Sequence, residues 1–258
     1  MTTTLADSVI MLRRNLKHML RYPSMTLFMV LMPVAFLLLF VYVLSGTVGP
    51  ASHAGRAAYA TFITPGILAL TAVAATTATA VSIANDMTGG IIARFRTMPI
   101  ARVSMLAGHV GGAVIQTVLG MVAVTAVALL TGFRATASAT GWLAAAAILV
   151  LFTFALTWLS VALGLAAKSV ESASNAPTPL IILAFLGSGF VLTRSMPAAI
   201  RWFAEYQPFT PVINTVRGLL IGAPIGHNGV IAIAWCLVIT VGSYLWARKL
   251  FSRDPVLS

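Results

Sequence analysis

The chain has 258 residues, of which 59% are hydrophobic and 8% are charged, and its formal net charge is +11. Soluble domains contain about 45–50% apolar and about 25% charged residues, so this composition excludes a water-soluble enzyme. It also excludes a disordered chain, and the single cysteine, Cys236, excludes a disulfide scaffold.

The first predicted element is an interfacial helix over residues 5–22. Its apolar residues recur at intervals of three and four, as on one face of a helix: Leu5, Val9, Leu12, Leu16 and Met19. Its basic residues are Arg13, Arg14, Lys17 and Arg21. A helix of this kind lies flat among lipid headgroups. It is either a membrane anchor and topology signal or, in addition, a contact for a cytoplasmic partner.

Six apolar runs dominate the rest of the chain. They are Met25–Leu44, Phe62–Ala84, Val103–Leu130, Trp142–Ala166, Pro177–Thr193 and Asn228–Ala247. A helix needs about 20 apolar residues to cross the hydrocarbon core of a membrane. The runs therefore predict an all-α integral membrane protein with six transmembrane helices in one domain over residues 1–258.

The basic residues predict the orientation of these six helices. If both termini are inside, the inside segments contain eleven Lys and Arg residues and the outside segments contain five. Because inside segments of membrane proteins are enriched in basic residues, we expect both termini in the cytoplasm. Basic residues beside apolar spans indicate contact with membrane lipids. No basic stripe interleaves with exposed aromatic residues, so we expect no nucleic-acid partner.

The apolar runs contain no Asp, Glu, Lys or Arg, and their strongly polar residues are His109 and Gln116. Ion-driven carriers usually need an ionisable group within the membrane, so we expect energy to come from another subunit. The lysines are Lys17, Lys168 and Lys249, and none follows a glycine as a phosphate-binding loop requires. We therefore expect a transport subunit rather than an enzyme, with no catalytic residues, cofactor or metal of its own.

The inside loop over residues 85–102 reads NDMTGGIIARFRTMPIAR. Ile91, Phe95 and Met98 have helical spacing, which predicts a short amphipathic helix flanked by Arg94 and Arg96. An apolar knob between cations suits a groove on a partner protein. The alternative is an ordinary basic loop at the membrane surface.

The outside segment over residues 194–227 contains three prolines, Pro197, Pro208 and Pro211. We predict two short helices, Pro197–Tyr206 and Pro211–Leu220, with Gly222 after the second. They form either a re-entrant hairpin next to the outer leaflet or an ordinary structured loop.

One motif points elsewhere, toward an intramembrane serine protease. Ser188 lies in LGSG, where Leu186 replaces the first glycine of the protease GxSG motif, and His109 is the histidine within a predicted span. We expect the small residues to serve helix packing instead.

Three segments together resemble the permease subunits of type 2 ABC exporters, most closely the daunorubicin-resistance-like branch. The first is YATFITPGIL (Tyr59–Leu68). The second is the inside loop with Asp86, Gly90, Arg94, Phe95, Arg96, Pro99 and Arg102. The third is Met196–Pro197 followed by QPFTPVINTVRGLLIG (Gln207–Gly222), which includes Asn214 and Arg217. Two positions differ from the family pattern, since Gln207 replaces the usual Asn and His109 stands where Arg is frequent.

The resemblance implies a role for each segment outside the spans. The interfacial helix would be an elbow helix. The 85–102 loop would hold a coupling helix that docks on a separate P-loop ATPase, and segment 194–227 would be a re-entrant hairpin above the transport path. Two permeases and two ATPases would form the working unit, with ATP and Mg used by the ATPase.

The expected function is outward transport by alternating access in a bacterial inner membrane. Because the spans lack charges, an amphipathic drug-like, antibiotic or lipid-linked substrate is favoured. The alternative is a self-contained secondary carrier or a membrane scaffold without transport activity. Dependence on an ATPase separates the two hypotheses.

Overall fold

A computed structural model describes residues 23–45, 55–88, 102–191 and 193–251, and this part of the chain is helical without any strand. The predicted interfacial helix over residues 5–22, with Arg13, Arg14, Lys17 and Arg21, lies outside the described residues. So do Gly90, Arg94, Phe95, Arg96 and Pro99 of the predicted coupling loop.

The helices are numbered in chain order. Helix α1 is Pro23–Leu39 and continues as a π-helical turn over Phe40–Leu44. It is followed by α2 (Arg56–Thr88), α3 (Arg102–Leu130) and α4 (Ala139–Ala166). Then come the short helices α5 (Val170–Asn175) and α6 (Thr178–Leu186), a 3-10 turn (Thr193–Ser195), α7 (Ala198–Tyr206) and α8 (Phe209–Ile221). The last helix is α9 (Asn228–Phe251).

Four helices in the described part of the chain are long and apolar enough to cross a membrane. They cover Arg56–Thr88, Gly108–Leu130, Ala139–Ala166 and Asn228–Leu250. Two shorter apolar helices cover Val30–Leu44 and Phe209–Ile221. The chain is therefore a multi-pass helical membrane protein.

We predicted that the fifth apolar run, Pro177–Thr193, forms one continuous helix, and this prediction is wrong. Helix α6 spans nine residues and ends at Leu186, a length of about 13 Å, which is too short to cross a hydrocarbon core of about 30 Å. Pro177 precedes its first residue, and Gly187 follows its last in an extended conformation. Gly187 therefore interrupts the run, because glycine has no Cβ and readily adopts non-helical backbone.

Helix α2 lies at the centre of the bundle and packs against α1, α3, α4, α5, α6 and α8. Its buried threonines donate their hydroxyls to carbonyls of the preceding turn, as Thr64 does to Ala60 (2.6 Å) and Thr71 to Ile67 (2.8 Å). These bonds satisfy polar side chains where no water is available. The central helix can therefore carry polar residues without polar partners on its neighbours.

Helix α4 approaches α2 closely at a glycine. A Cβ added to Gly164 would lie 2.6 Å from the carbonyl oxygen of Ala80, so no larger residue fits there. Small residues allow the backbones of membrane helices to approach in this way. Helix α9 packs on the other side of α4 and also contacts α8.

The two ends of the bundle differ in composition. The coupling-loop end is where α2 ends and α3 begins, and a small apolar cluster there joins Ile83, Val110, Trp158, Leu165 and Ala247. The opposite end, called the hairpin end, contains α7 and α8. Its larger core includes Tyr59, Phe152, Phe209 and Ile213.

Candidate functional site

Helix α8 is fixed at the hairpin end by burial and by backbone bonds. Phe209, Val212 and Val216 are fully buried. The Leu220 carbonyl accepts bonds from the amides of Thr136 and Ala137, at 3.1 and 3.2 Å, in the connection between α3 and α4. Gly222 ends the helix with a φ of 68°, a left-handed conformation that favours glycine. The predicted second helix and its glycine stop are thereby confirmed.

The three prolines of the predicted hairpin occupy helix starts. Pro197 precedes α7, and its carbonyl accepts a bond from the Arg201 amide at 2.9 Å. Pro208 precedes α8, and Pro211 is buried in the first turn of that helix. Proline suits these positions because the first helical amides have no partner within their own helix.

Arg217 of α8 joins three separate segments. Its Nη1 donates to Asn214 Oδ1 at 3.1 Å. Its Nη2 donates to two backbone carbonyls, Phe62 in α2 at 3.0 Å and Ser188 after α6 at 2.8 Å. The guanidinium also lies 4.5 Å from the centre of the Phe62 ring. One side chain thus ties α8 to the central helix and to the broken fifth run.

The charge of Arg217 is held by neutral oxygens. Burial lowers the pKa of the Arg217 guanidinium to about 10, so the group stays protonated at neutral pH. Its acceptors are two backbone carbonyls and one side-chain amide. Because hydrogen bonds to charged groups are stronger than neutral ones, each of these contacts is stronger than an ordinary hydrogen bond between neutral groups.

The remaining polar residues complete what we call the hairpin junction: Ser188, Gln207, Thr210, Asn214 and Arg217. Ser188 donates its hydroxyl to Asn214 at 2.7 Å and its amide to Thr210 Oγ1 at 3.1 Å. Gln207 donates from Nε2 to the Leu183 carbonyl at 2.8 Å. That carbonyl lies in the last turn of α6, where carbonyls have no amide donor within their own helix.

These contacts answer two questions that the sequence raised. Gln207, a departure from the family pattern, is long enough to reach α6 from the turn between α7 and α8. The Ser188 hydroxyl is bound to an amide, which cannot act as a base, while His109 lies at the coupling-loop end. The arrangement at Ser188 is structural rather than proteolytic.

Backbone contact brings α2 and the Ser188 segment together. A Cβ on Gly66 would lie 2.7 Å from the Cα of Gly189. Pro65, just before Gly66, lies inside α2 and has no amide hydrogen to continue the helical bonds of that turn. The interrupted turn contains Phe62, whose carbonyl accepts from Arg217.

At the coupling-loop end, Asp86 pairs with His109. Asp86 Oδ2 lies 3.0 Å from His109 Nε2, and the two side chains are 14% and 7% exposed. Asp86 stands near the end of α2 and His109 in the second turn of α3, so the pair bridges the two helices that flank the predicted coupling loop. Arg102 is the first residue of α3.

Sequence reasoning found Asp86, Asn214 and Arg217 but missed their partners. By sequence, His109 is a departure from the family pattern, and Ser188 is assigned to helix packing and not to a hydrogen bond with Asn214. The available signal for His109 was its place near the start of a helix that runs antiparallel to the one carrying Asp86. Nothing local pointed to the Phe62 carbonyl, because a backbone acceptor has no sequence signature.

The long apolar helices, the central position of α2 and the short helices α7 and α8 define a multi-pass helical membrane protein. Residues 8–221 match the family described as ABC-2 type transporter, and the chain belongs to this family. It is also 29% identical, over 223 residues, to the "Daunorubicin resistance ABC transporter permease protein DrrB1" of Streptomyces coeruleorubidus. That alignment covers 85% of this chain and 77% of the relative.

Family membership makes this chain a membrane permease of an ABC transporter. Permeases of this family are transport components that work with an ATPase subunit and in dimers, and the bacterial inner membrane is their site. The resemblance drawn from three sequence segments is therefore confirmed.

Proposed function

We propose that this chain is the permease subunit of an ATP-driven exporter that moves an amphipathic drug-like, antibiotic or lipid-linked substrate outward. The observation that carries the proposal is the family match over residues 8–221. The name of the daunorubicin resistance relative supports a drug-like substrate. The uncharged apolar runs favour an amphipathic molecule over a highly charged one.

In this proposal the chain crosses the membrane six times. Helices α1, α2, α3, α4 and α9 are five of the spans, and α5 with α6 forms a broken fifth span in chain order. Residues 5–22 form an elbow helix at the inner surface, with Arg13, Arg14, Lys17 and Arg21 toward lipid headgroups. Both termini are cytoplasmic, and α7 with α8 forms an external re-entrant hairpin.

The working unit would contain two permeases and two ATPases, and the ATPases would use ATP and Mg. The coupling residues are Asp86, Gly90, Arg94, Phe95, Arg96, Pro99 and Arg102. Closure of the ATPase dimer would push on the apolar knob around Phe95. The two permeases would then alternate between inward-open and outward-open states.

Contacts at both ends of α2 support a route for this push. The Asp86–His109 pair joins α2 to α3 beside the loop, and the Phe62–Arg217 bond joins α2 to the hairpin. A rigid central helix would carry a displacement from one end of the bundle to the other. Alternating access then requires that both contacts move with α2.

The test is co-purification of the tagged full chain from its own host in mild detergent, followed by mass spectrometry. We compare wild type with a Phe95→Asp, Arg94→Glu double variant. The matched control is Arg134→Glu, an exposed arginine between α3 and α4 at the hairpin end. We expect a stoichiometric P-loop ATPase with wild type and control, and a loss of it in the double variant.

The other outcomes separate the parts of the proposal. An ATPase retained by the double variant would keep the exporter but move its docking site away from Phe95. No ATPase with any form, under conditions that preserve a known complex, would favour a secondary carrier or a scaffold.

A further inference from the structure

Helix α7 has an exposed aromatic face that takes no part in the hairpin junction. Trp202 is 69% exposed, Tyr206 55%, Ile200 46% and Phe203 45%, whereas Ala204 is buried. Trp202 and Tyr206 lie one turn apart, and their ring centres are 6.0 Å from each other. An apolar face of this size on a short external helix indicates a binding surface.

A hydrogen bond to α9 sets the depth of this face. The indole Nε1 of Trp235 donates to the carbonyl of Tyr206 at 2.9 Å. Trp235 lies seven residues after Asn228 and thirteen before Arg248. At 1.5 Å per residue, these separations are about 10 Å and about 20 Å along the helix.

The basic end of α9 provides the reference level. Arg248 and Lys249 are in its last turn, where basic side chains reach the headgroups. With a hydrocarbon core of about 30 Å, the bonded end of α7 lies about 10 Å inside the opposite boundary. Helix α7 is therefore at membrane depth and not in the water above it.

The surface beside α7 is continuous with a lipid-facing surface. Helix α9 is long enough to span a membrane, and only 22% of its most apolar stretch is buried against the rest of the protein. Its exposed residues include Val230, Ile233, Leu237, Val238 and Val241. Trp and Tyr concentrate where hydrocarbon meets headgroups, because their rings are apolar and their N–H and O–H groups are polar.

We propose that α7 is an interfacial helix whose Ile200, Trp202, Phe203 and Tyr206 face binds phospholipids of the outer leaflet. The bound lipid would reinforce the depth that the Trp235–Tyr206 hydrogen bond sets. Gln207 and Pro208 connect α7 directly to α8, so this contact would also hold the hairpin junction at a constant level in the bilayer. The choice of outer leaflet rests on the orientation proposed above, whereas the depth does not.

The first test measures the depth of position 202 with a nitroxide label. The full chain carries Cys236→Ala and one new cysteine, in nanodiscs of phosphatidylcholine and phosphatidylglycerol. We compare Trp202→Cys with Val238→Cys on the exposed face of α9 and with His227→Cys in the exposed turn before α9. The readout is the ratio of collisions with oxygen, which enters lipid, to collisions with a water-soluble nickel chelate.

We expect the ratio at position 202 to exceed that at 227 several-fold and to stay at or below that at 238, which lies about 15 Å from Arg248 and so near the middle of the membrane. A ratio equal to that at 227 would place the face in water and overturn the proposal. Low collision rates with both reagents, together with spin–spin broadening, would show that a second copy of the chain covers the face, which also overturns it.

A second test keeps the native cysteine and uses intrinsic fluorescence. Brominated phosphatidylcholine quenches tryptophans that touch lipid. We expect Trp202→Phe to lower the quenched fraction. The matched variant Trp158→Phe, at a position only 7% exposed, should raise that fraction because it removes a protected tryptophan. No change with Trp202→Phe would contradict the lipid contact.

Neither measurement needs the ATPase or transport. A failure here would leave the exporter proposal in place, and failure of the ATPase co-purification would leave the depth of α7 unchanged.

Discussion

Arg217 shows how a single charged residue organises the hairpin end. It donates to acceptors on α2, on α8 and after α6, over sequence separations of 155, 3 and 29 residues. Each acceptor is uncharged, so the contact depends on geometry rather than on an ion pair. A guanidinium can donate in several directions at once, which an ammonium cannot do with the same fixed geometry.

We predict that Arg217→Gln destabilises the protein by about 2–3 kcal/mol, since it leaves the buried Phe62 and Ser188 carbonyls without this donor. Arg217→Lys should recover part of this loss. The measurement is the temperature at which the purified protein loses its monodisperse peak in size-exclusion chromatography. Arg134→Gln, at an exposed position, is the control and should match wild type. Equal midpoints for Arg217→Gln and Arg134→Gln would contradict the role given to Arg217.

Asp86 and His109 show the same dependence on distant partners. Each is a polar residue near the end of an apolar run, and nothing in the sequence indicates that the two side chains pair. Only the antiparallel packing of α2 and α3 brings their side chains to 3.0 Å. The prediction that Asp86 serves coupling remains a proposal, but its position beside the loop is now defined.

At the scale of elements, α2 and the segment after α6 depend on a backbone contact. Gly66 and Gly189 face each other without side chains, directly beside Pro65. The close approach allows the Ser188 carbonyl and the Phe62 carbonyl to share one guanidinium. An added methyl group would separate the two segments.

We therefore predict that Gly66→Ala destabilises the protein by about 1–3 kcal/mol through overpacking. Gly242→Ala is the matched control, because no heavy atom lies within 4 Å of the added Cβ. In the interior of α9 this change should be neutral or stabilising by about 0.5–1 kcal/mol. Thermal midpoints in one detergent compare the two variants, and a Gly66→Ala midpoint at or above that of Gly242→Ala would refute the close contact.

The fifth apolar run shows the limit of reading elements from hydropathy. Hydropathy averaged over about 20 residues does not show where a helix ends inside an apolar segment. Phe185 and Phe190 lie on either side of the break and pack together at 4.7 Å. The ring centre of Phe36 in α1 lies 6.3 Å from that of Phe185, and the ring centre of Phe40 in the π-helical turn lies 5.3 Å from that of Phe190. These tertiary contacts add to the local effect of Gly187 in stabilising the break.

At the scale of the whole molecule, charge asymmetry predicts the orientation. Eleven basic residues lie in the segments predicted inside and five in those predicted outside. The described fold places α7, α8 and the start of α9 at one end, and the ends of α2, α4 and α9 at the other. This arrangement agrees with spans that alternate in direction.

We predict that alkaline phosphatase fused after Phe251 is inactive, whereas a fusion after Gly226 is active. The enzyme needs disulfides that form only outside the cytoplasm. Green fluorescent protein at the same two positions should give the reverse pattern, with immunoblots to correct for expression. Activity of phosphatase at Phe251 and not at Gly226 would invert the assigned orientation.

The sequence by itself determined the class of the protein, its long apolar helices, the two short helices α7 and α8 and the family. These properties depend on local composition and spacing, which hydropathy and proline positions record directly. Only the structure revealed the break at Gly187 in the fifth run, the Asp86–His109 pair and the hairpin junction. The pair and the junction join residues from different segments of the chain, and some acceptors in the junction are backbone carbonyls. Only packing of the bundle brings these groups within hydrogen-bonding distance.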